Sequence, residues 1–171
     1  MERRDLLRAL GAATAFSLLP REAEAAWARV RAGRRPAGGL TEQQLTLIGA
    51  IADIIIPRTE SPSATDVRVP EFIDVIVSEQ YSDAERDAFV AGLAGLAGLS
   101  ASEAAIDALE QAADRRAEPQ RTYWRLKGLI LHGYFTSERV MKDVLKVEIM
   151  PGRFVGDAPM PARSGGARGQ G

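Results

Sequence analysis

The stretch that decides the fold covers residues 122–138 and reads Thr122-Tyr-Trp-Arg-Leu-Lys-Gly-Leu-Ile-Leu-His-Gly-Tyr-Phe-Thr-Ser-Glu138. It holds one of the two tryptophans, two of the three tyrosines and the only histidine of the chain. Aromatic side chains bury large areas and dominate protein cores and interfaces. We therefore expect the helices before this stretch to pack around it and the residues after it to form an extended arm.

Glycine and serine divide the stretch into two predicted helices. The first runs over residues 123–132, and Gly133 is expected to end it because glycine accepts left-handed geometry. Tyr134 and Phe135 then form an exposed aromatic corner, and Ser137 caps the helix that follows.

Two capping boxes mark helices nearer the N-terminus. Thr41-Glu-Gln-Gln44 and Ser82-Asp-Ala-Glu85 each place an N-cap hydroxyl three residues before a side chain that reaches back to the backbone. Pro57 ends the first of these helices. Another helix starts at Val69-Pro70-Glu71, where proline and an acidic residue suit the first turn.

Gly92, Gly95 and Gly98 lie at three-residue spacing inside the helix predicted over residues 86–99. Small residues at this spacing allow two helices to approach each other closely. The glycines do not follow a strand, so they do not form a dinucleotide-binding motif.

Composition favours an all-α fold. Of the 171 residues 46% are apolar and only 6% aromatic, and no segment alternates as a strand would. We expect a compact helical bundle of about five to six helices over residues 41–156. An extended C-terminal arm ends this domain, and a flexible tail follows over residues 157–171, which are rich in Pro, Gly and Arg.

Charge and cysteine content exclude several functions. The formal net charge is -1, so no overall field selects nucleic acid or an anionic surface. The absence of cysteine excludes disulfides, thiolate nucleophiles, iron–sulfur clusters and covalently attached haem. His132 has no second histidine beside it, so we expect a structural role for it and no metal site or cofactor in this chain.

Residues 1–25 resemble a twin-arginine export signal. A paired arginine precedes two leucines, and a short apolar region and a small-x-small cleavage site follow in the required order. The signal residues are Arg3, Arg4, Leu6 and Leu7, and the cleavage site is formed by Ala23 and Ala25. An amphipathic helix that stays on the protein is the alternative.

Residues 26–40 are basic and end in Pro36, Gly38 and Gly39, so they are predicted to be a linker. Trp27 either anchors this linker to a neighbour or lies in a solvated segment. The twin-arginine route carries folded cargo, although this chain has no cofactor that requires folding first. We therefore expect it to travel with a partner that holds a cofactor.

Several short motifs occur in a characteristic order. Residues 51–57 (IADIIIP) lead through a Ser/Thr-rich loop to residues 69–74 (VPEFID), and residues 126–138 and 151–154 (PGRF) follow. Together they resemble the gluconate 2-dehydrogenase subunit 3 family over residues 41–160.

The resemblance implies a non-catalytic small subunit of a periplasmic dehydrogenase that oxidises sugars or sugar acids. In such complexes the large subunit is a flavoprotein of the glucose–methanol–choline (GMC) type that binds FAD, and a c-type cytochrome subunit with haem c often takes the electrons. The small subunit supplies the signal for the twin-arginine translocase and supports folding of the flavoprotein. The implied location is the periplasm, with or without membrane association through the complex.

Aromatic and arginine residues are the usual anchors of protein interfaces. The residues expected to bind the partner are Tyr134, Phe135, Thr136, Ser137, Pro151, Gly152, Arg153 and Phe154. Core packing is the alternative for the two aromatic residues. For the whole chain, an enzyme in its own right would need a catalytic motif that the sequence lacks, whereas a free-standing periplasmic helical binding protein remains an alternative function.

Overall fold

Helices account for all regular secondary structure in residues 20–99 and 101–146, the residues that the computed structural model describes. The six α-helices are α1 (Pro20–Arg31), α2 (Glu42–Ile55), α3 (Val69–Glu79), α4 (Asp83–Ala97), α5 (Glu103–Gln111) and α6 (Gln120–Thr136). A 3-10 turn (Thr65–Val67) precedes α3, and a π-helical turn (Val140–Val144) follows α6. The prediction of an all-α fold is confirmed. Within the described ranges, no helix is both long and apolar enough to cross a bilayer.

Helix α3 lies at the centre of the bundle. Eight of its residues are buried, and they are Val69, Pro70, Phe72, Ile73, Asp74, Val75, Ile76 and Val77. A helix that is apolar on nearly all sides must be covered on nearly all sides. Accordingly α1, α2 and α6 all pack against α3, and α6 also contacts α4 and α5.

The predicted helix starts are confirmed in detail. Thr41 Oγ1 accepts a hydrogen bond from the Gln44 backbone N–H, and the Gln44 side chain accepts one from the Thr41 N–H. Ser82 and Glu85 form the same reciprocal pair at the start of α4. Each box satisfies backbone donors that a helix start would otherwise leave without partners.

The predicted helix break at Gly133 is wrong, because α6 continues without interruption to Thr136. Gly133 is buried against α3, where an added Cβ would lie 2.8 Å from Phe72 Cδ1. The glycine therefore provides room for the Phe72 ring, and its freedom to adopt left-handed geometry is not used.

The prediction of a linker over residues 26–40 needs correction in its first part, because residues 26–31 are the C-terminal half of α1. Ala23, Ala26, Trp27 and Val30 are buried at the three- and four-residue spacing of one helix face. The basic residues Arg29 and Arg31 are exposed on the outer side. Their charge made the segment resemble a solvated linker.

The remaining part of that segment is held by a buried carboxylate. The Leu40 backbone N–H donates a 2.6 Å hydrogen bond to Asp74 Oδ1, and Arg35 Nε lies 3.7 Å from Asp74 Oδ2. Arg35 also donates to the Leu40 carbonyl oxygen. The Asp74 residue is only 2% exposed, and this burial raises the pKa of its carboxyl group.

One of the three spaced glycines makes the predicted close helix contact. A Cβ added at Gly92 would lie 2.0 Å from Thr122 Oγ1, so α4 and α6 are in close contact there. At Gly95 the nearest atom to such a Cβ is 4.0 Å away, on Pro119. The spacing thus marks the helix face correctly, although only its first glycine is required by packing.

We predict that Gly92→Ala destabilises the protein by about 1–3 kcal/mol, because the new methyl group has to displace Thr122. Gly95→Ala is the matched control and should stabilise the protein by up to about 1 kcal/mol, since alanine favours the helix and meets no neighbour. Urea unfolding of both variants checks this. Equal effects at the two positions would contradict the close contact.

A second prediction concerns pH. The folded state binds the Asp74 proton more tightly than the unfolded state, so the stabilisation from this group is present below the unfolded pKa of about 3.9. It is lost as pH rises through the higher folded pKa. Asp74→Asn removes this loss, so the free energy of unfolding of wild type relative to Asp74→Asn should fall as pH rises above about 4. Carboxylates that do not interact with Asp74 cancel in this comparison. A difference that rises with pH in urea titrations would show that the pKa is lowered instead.

Candidate functional site

The C-terminal end of α6 meets α1 and the π-helical turn at one corner of the bundle. Trp27 Nε1–H, on α1, donates a 3.0 Å hydrogen bond to Thr136 Oγ1, and that hydroxyl donates to the His132 carbonyl oxygen at 2.7 Å. The Trp27 ring stacks on Phe72 with 4.9 Å between ring centroids. Trp27 therefore anchors α1 to α3 and α6 within this chain.

Ser137 joins α6 to the π-helical turn. Its Oγ donates to the Tyr134 carbonyl oxygen at 2.7 Å and accepts from the Val140 backbone N–H at 3.4 Å. The side chain is buried, so both ends of this short connection are fixed. The two following residues, Glu138 and Arg139, are presented to solvent.

The expectation that both aromatic residues of the corner are exposed is wrong for Tyr134 and correct for Phe135. Tyr134 is buried, and its hydroxyl donates a 2.8 Å hydrogen bond to the Pro62 carbonyl oxygen. Since α6 does not break at Gly133, Tyr134 falls four residues after Ile130 on the inward face. Phe135 points outward and is 49% exposed.

A shallow groove of about 330 Å³ runs beside this corner, and we call it the corner groove. It is lined by Trp27, Arg31, Ser137, Glu138, Arg139, Lys142 and Asp143. Glu138 pairs with Lys142 at 2.5 Å and lies 3.9 Å from Arg31. The hydrogen bond from Lys142 lowers the pKa of Glu138, so the groove presents both signs of charge at neutral pH.

The part of the chain that the structure describes contains no group of three or more His, Cys, Asp or Glu side chains placed to hold a metal ion. His132 lies near Phe72, with 6.0 Å between ring centroids, and burial lowers its pKa. This lowered pKa favours the neutral imidazole at pH 7.

Half of the predicted partner-binding residues can be located. Tyr134, Phe135, Thr136 and Ser137 all lie at the corner, and partner binding by them stays a prediction. The predicted sites at Pro151, Gly152, Arg153 and Phe154, and the signal residues Arg3, Arg4, Leu6 and Leu7, lie outside the described residues. Ala23 and Ala25, predicted to form a cleavage site, lie in α1, the first buried and the second exposed.

Sequence analysis did not identify the charged residues of the corner groove. Arg31, Glu138 and Lys142 come from two segments more than 100 residues apart, as Trp27 and Thr136 do. A signal was present in the spacing of Ala23, Trp27 and Val30, which predicts a helix with one buried face. That helix brings Arg31 to the groove.

Comparison with known proteins gives one match. Residues 42–116, which contain α2 to α5, match the family model described as gluconate 2-dehydrogenase subunit 3. No curated protein and no solved structure matches the chain. The resemblance predicted from the sequence motifs is thereby confirmed for residues 42–116, the segment that matches the gluconate 2-dehydrogenase subunit 3 family.

Proposed function

We propose that this chain is the non-catalytic small subunit of a periplasmic, FAD-dependent dehydrogenase complex that oxidises sugars or sugar acids. The family match over residues 42–116 is the observation that carries the proposal. The catalytic partner is a flavoprotein of the GMC type, which binds FAD. A c-type cytochrome subunit with haem c is the proposed electron acceptor where the complex has a third subunit.

The distribution of exposed apolar residues supports a subunit. In the described ranges, four large apolar side chains are exposed, namely Leu99, Phe135, Val144 and Leu145. Three of them fall between residues 135 and 145, on the end of α6 and the π-helical turn. Exposed apolar residues that concentrate in one region mark protein interfaces. We therefore assign the flavoprotein contact to this region and to the adjoining corner groove.

The proposed escort role follows from the N-terminal signal. Arg3 and Arg4 precede the leucine pair in the order that the twin-arginine translocase reads. We infer that the flavoprotein binds FAD before it crosses the membrane and is therefore exported in folded form. The small subunit would thus carry the signal for both proteins, and the complex would leave the cytoplasm folded.

Export of the flavoprotein should depend on the paired arginines. We predict that co-expression with the wild-type chain brings the flavoprotein of the neighbouring reading frame to the periplasm with FAD bound. The double variant Arg3→Lys, Arg4→Lys should leave the complex in the cytoplasm, because the translocase reads the arginine pair. The complex should still assemble, because both lysines keep the positive charge. Fractionation, flavin fluorescence and dye reduction measure location, loading and activity. An exported, active flavoprotein in the absence of this chain would contradict the escort role.

Phe135 provides a separate test of the contact surface. Phe135→Ala should weaken co-purification with the flavoprotein about tenfold, because buried aromatic anchors dominate interface energies. Leu99→Ala is the matched control, since Leu99 is 42% exposed and lies two residues after the end of α4. Both variants should keep the wild-type free energy of unfolding within about 0.5 kcal/mol, as surface substitutions usually do.

Equal binding of the flavoprotein by the two variants would show that Phe135 is not part of the interface.

A free-standing periplasmic helical binding protein is the alternative function. This alternative would be supported if the purified chain were a monodisperse monomer that did not bind the flavoprotein at micromolar concentration.

A further inference from the structure

Helix α1 contains the site at which the proposed export signal would be cleaved. The small-x-small motif Ala23-Glu24-Ala25 occupies the first half of α1, and the peptide bond after Ala25 lies inside the helix. Ala23 and Ala26, on either side of this bond, are each only 3% exposed. The site is therefore part of a packed helix face and not of a loop.

Contacts along the second half of α1 hold this helix to the bundle. Trp27 is 6% exposed, stacks on Phe72 and hydrogen-bonds to Thr136. Arg68 Nη1 donates a 2.8 Å hydrogen bond to the Val30 carbonyl oxygen, and Arg29 pairs with Glu79 at 2.9 Å. These contacts hold the second half of α1 to both ends of α3 and to α6.

Cleavage would require these contacts to be broken. Proteases act on accessible, locally unfolded segments, so the residues on both sides of the bond must leave the helix. Unwinding from Ala23 past Ala26 removes two buried alanines from the core and releases Trp27, only two residues beyond the bond. The rate of cleavage of the folded chain would then be proportional to the small fraction of molecules in which α1 is unwound.

We infer that folding closes the bond after Ala25 to signal peptidase, so that α1 and the residues before it stay attached to the mature subunit. This inference rests on the export signal of the proposed function, because the twin-arginine route delivers a chain that has already folded. The signal would then act as a permanent N-terminal extension of the complex.

Purified bacterial signal peptidase in detergent micelles tests the inference directly, with mass spectrometry as the readout. The substrates are the full chain and a synthetic peptide of residues 1–35, which has the same site without the bundle. We expect the peptide to be cut after Ala25 and the full chain to be cut at least about a hundredfold more slowly. Cleavage of both substrates at similar rates would overturn the inference. Resistance of both would also overturn it, because sequence and not folding would then protect the bond.

Two variants test whether the packing of α1 against the bundle protects the bond after Ala25 from signal peptidase. Trp27→Ala removes the main anchor and should speed cleavage of the full chain at least about tenfold. Thr136→Val removes the acceptor of Trp27, together with the hydroxyl's own bond to the His132 carbonyl oxygen, and keeps a side chain of similar size, so it gives an answer if Trp27→Ala does not fold. Thr46→Val, on the exposed face of α2, is the matched control and should leave the rate unchanged.

Cleavage of Thr136→Val no faster than that of Thr46→Val would contradict protection by the Trp27 anchor. None of these assays requires the flavoprotein. Failure of the inference, seen as a new N-terminus at Ala26, is therefore distinct from failure of the proposed function, seen as export of the flavoprotein without this chain.

Discussion

The packing of Phe72 is the constraint on which the rest of the structure depends. Its ring lies on the central helix α3, stacks on Trp27 of α1, and occupies the space that Gly133 leaves on α6. Three helices that are far apart in sequence thus meet at one side chain. A fully buried aromatic ring contributes roughly 1.5–3 kcal/mol through burial alone. Because α6 also carries the corner residues, the position of the proposed partner surface is set by the same contact.

Helix starts that depend on neighbouring residues were predicted correctly from the sequence. Features that depend on tertiary contacts were not. The capping boxes at Thr41 and Ser82 are local patterns, and both are present in the structure. Gly133 was expected to end a helix, since glycine often does, but whether it turns the chain or admits a ring depends on Phe72, 61 positions away. Likewise, the charges of α1 concealed a buried face whose partners lie on α3 and α6. The corner groove could not be predicted, because its two sides come from opposite ends of the chain.

Because α6 is uninterrupted, the neighbouring aromatic residues Tyr134 and Phe135 point in different directions. Tyr134 faces the core and fixes the loop at Pro62, whereas Phe135 faces outward beside a groove of mixed charge. The family match covers α2 to α5, and this surface is built instead by α1, α6 and the π-helical turn. The matched segment therefore supplies the scaffold, including α3, on which the proposed contact surface rests.

The hydrogen bond between Trp27 and Thr136 also sets an order of events during synthesis. The two residues are 109 positions apart, and the ribosome makes the acceptor last. Until α6 has emerged from the exit tunnel, α1 can pack against α3, but Trp27 lacks its hydrogen-bond acceptor on Thr136. Completion of translation and fixation of the N-terminal helix thus become linked steps. A chain that is truncated before α6 would leave the Trp27 indole N–H without its Thr136 acceptor, which distinguishes it from the complete product.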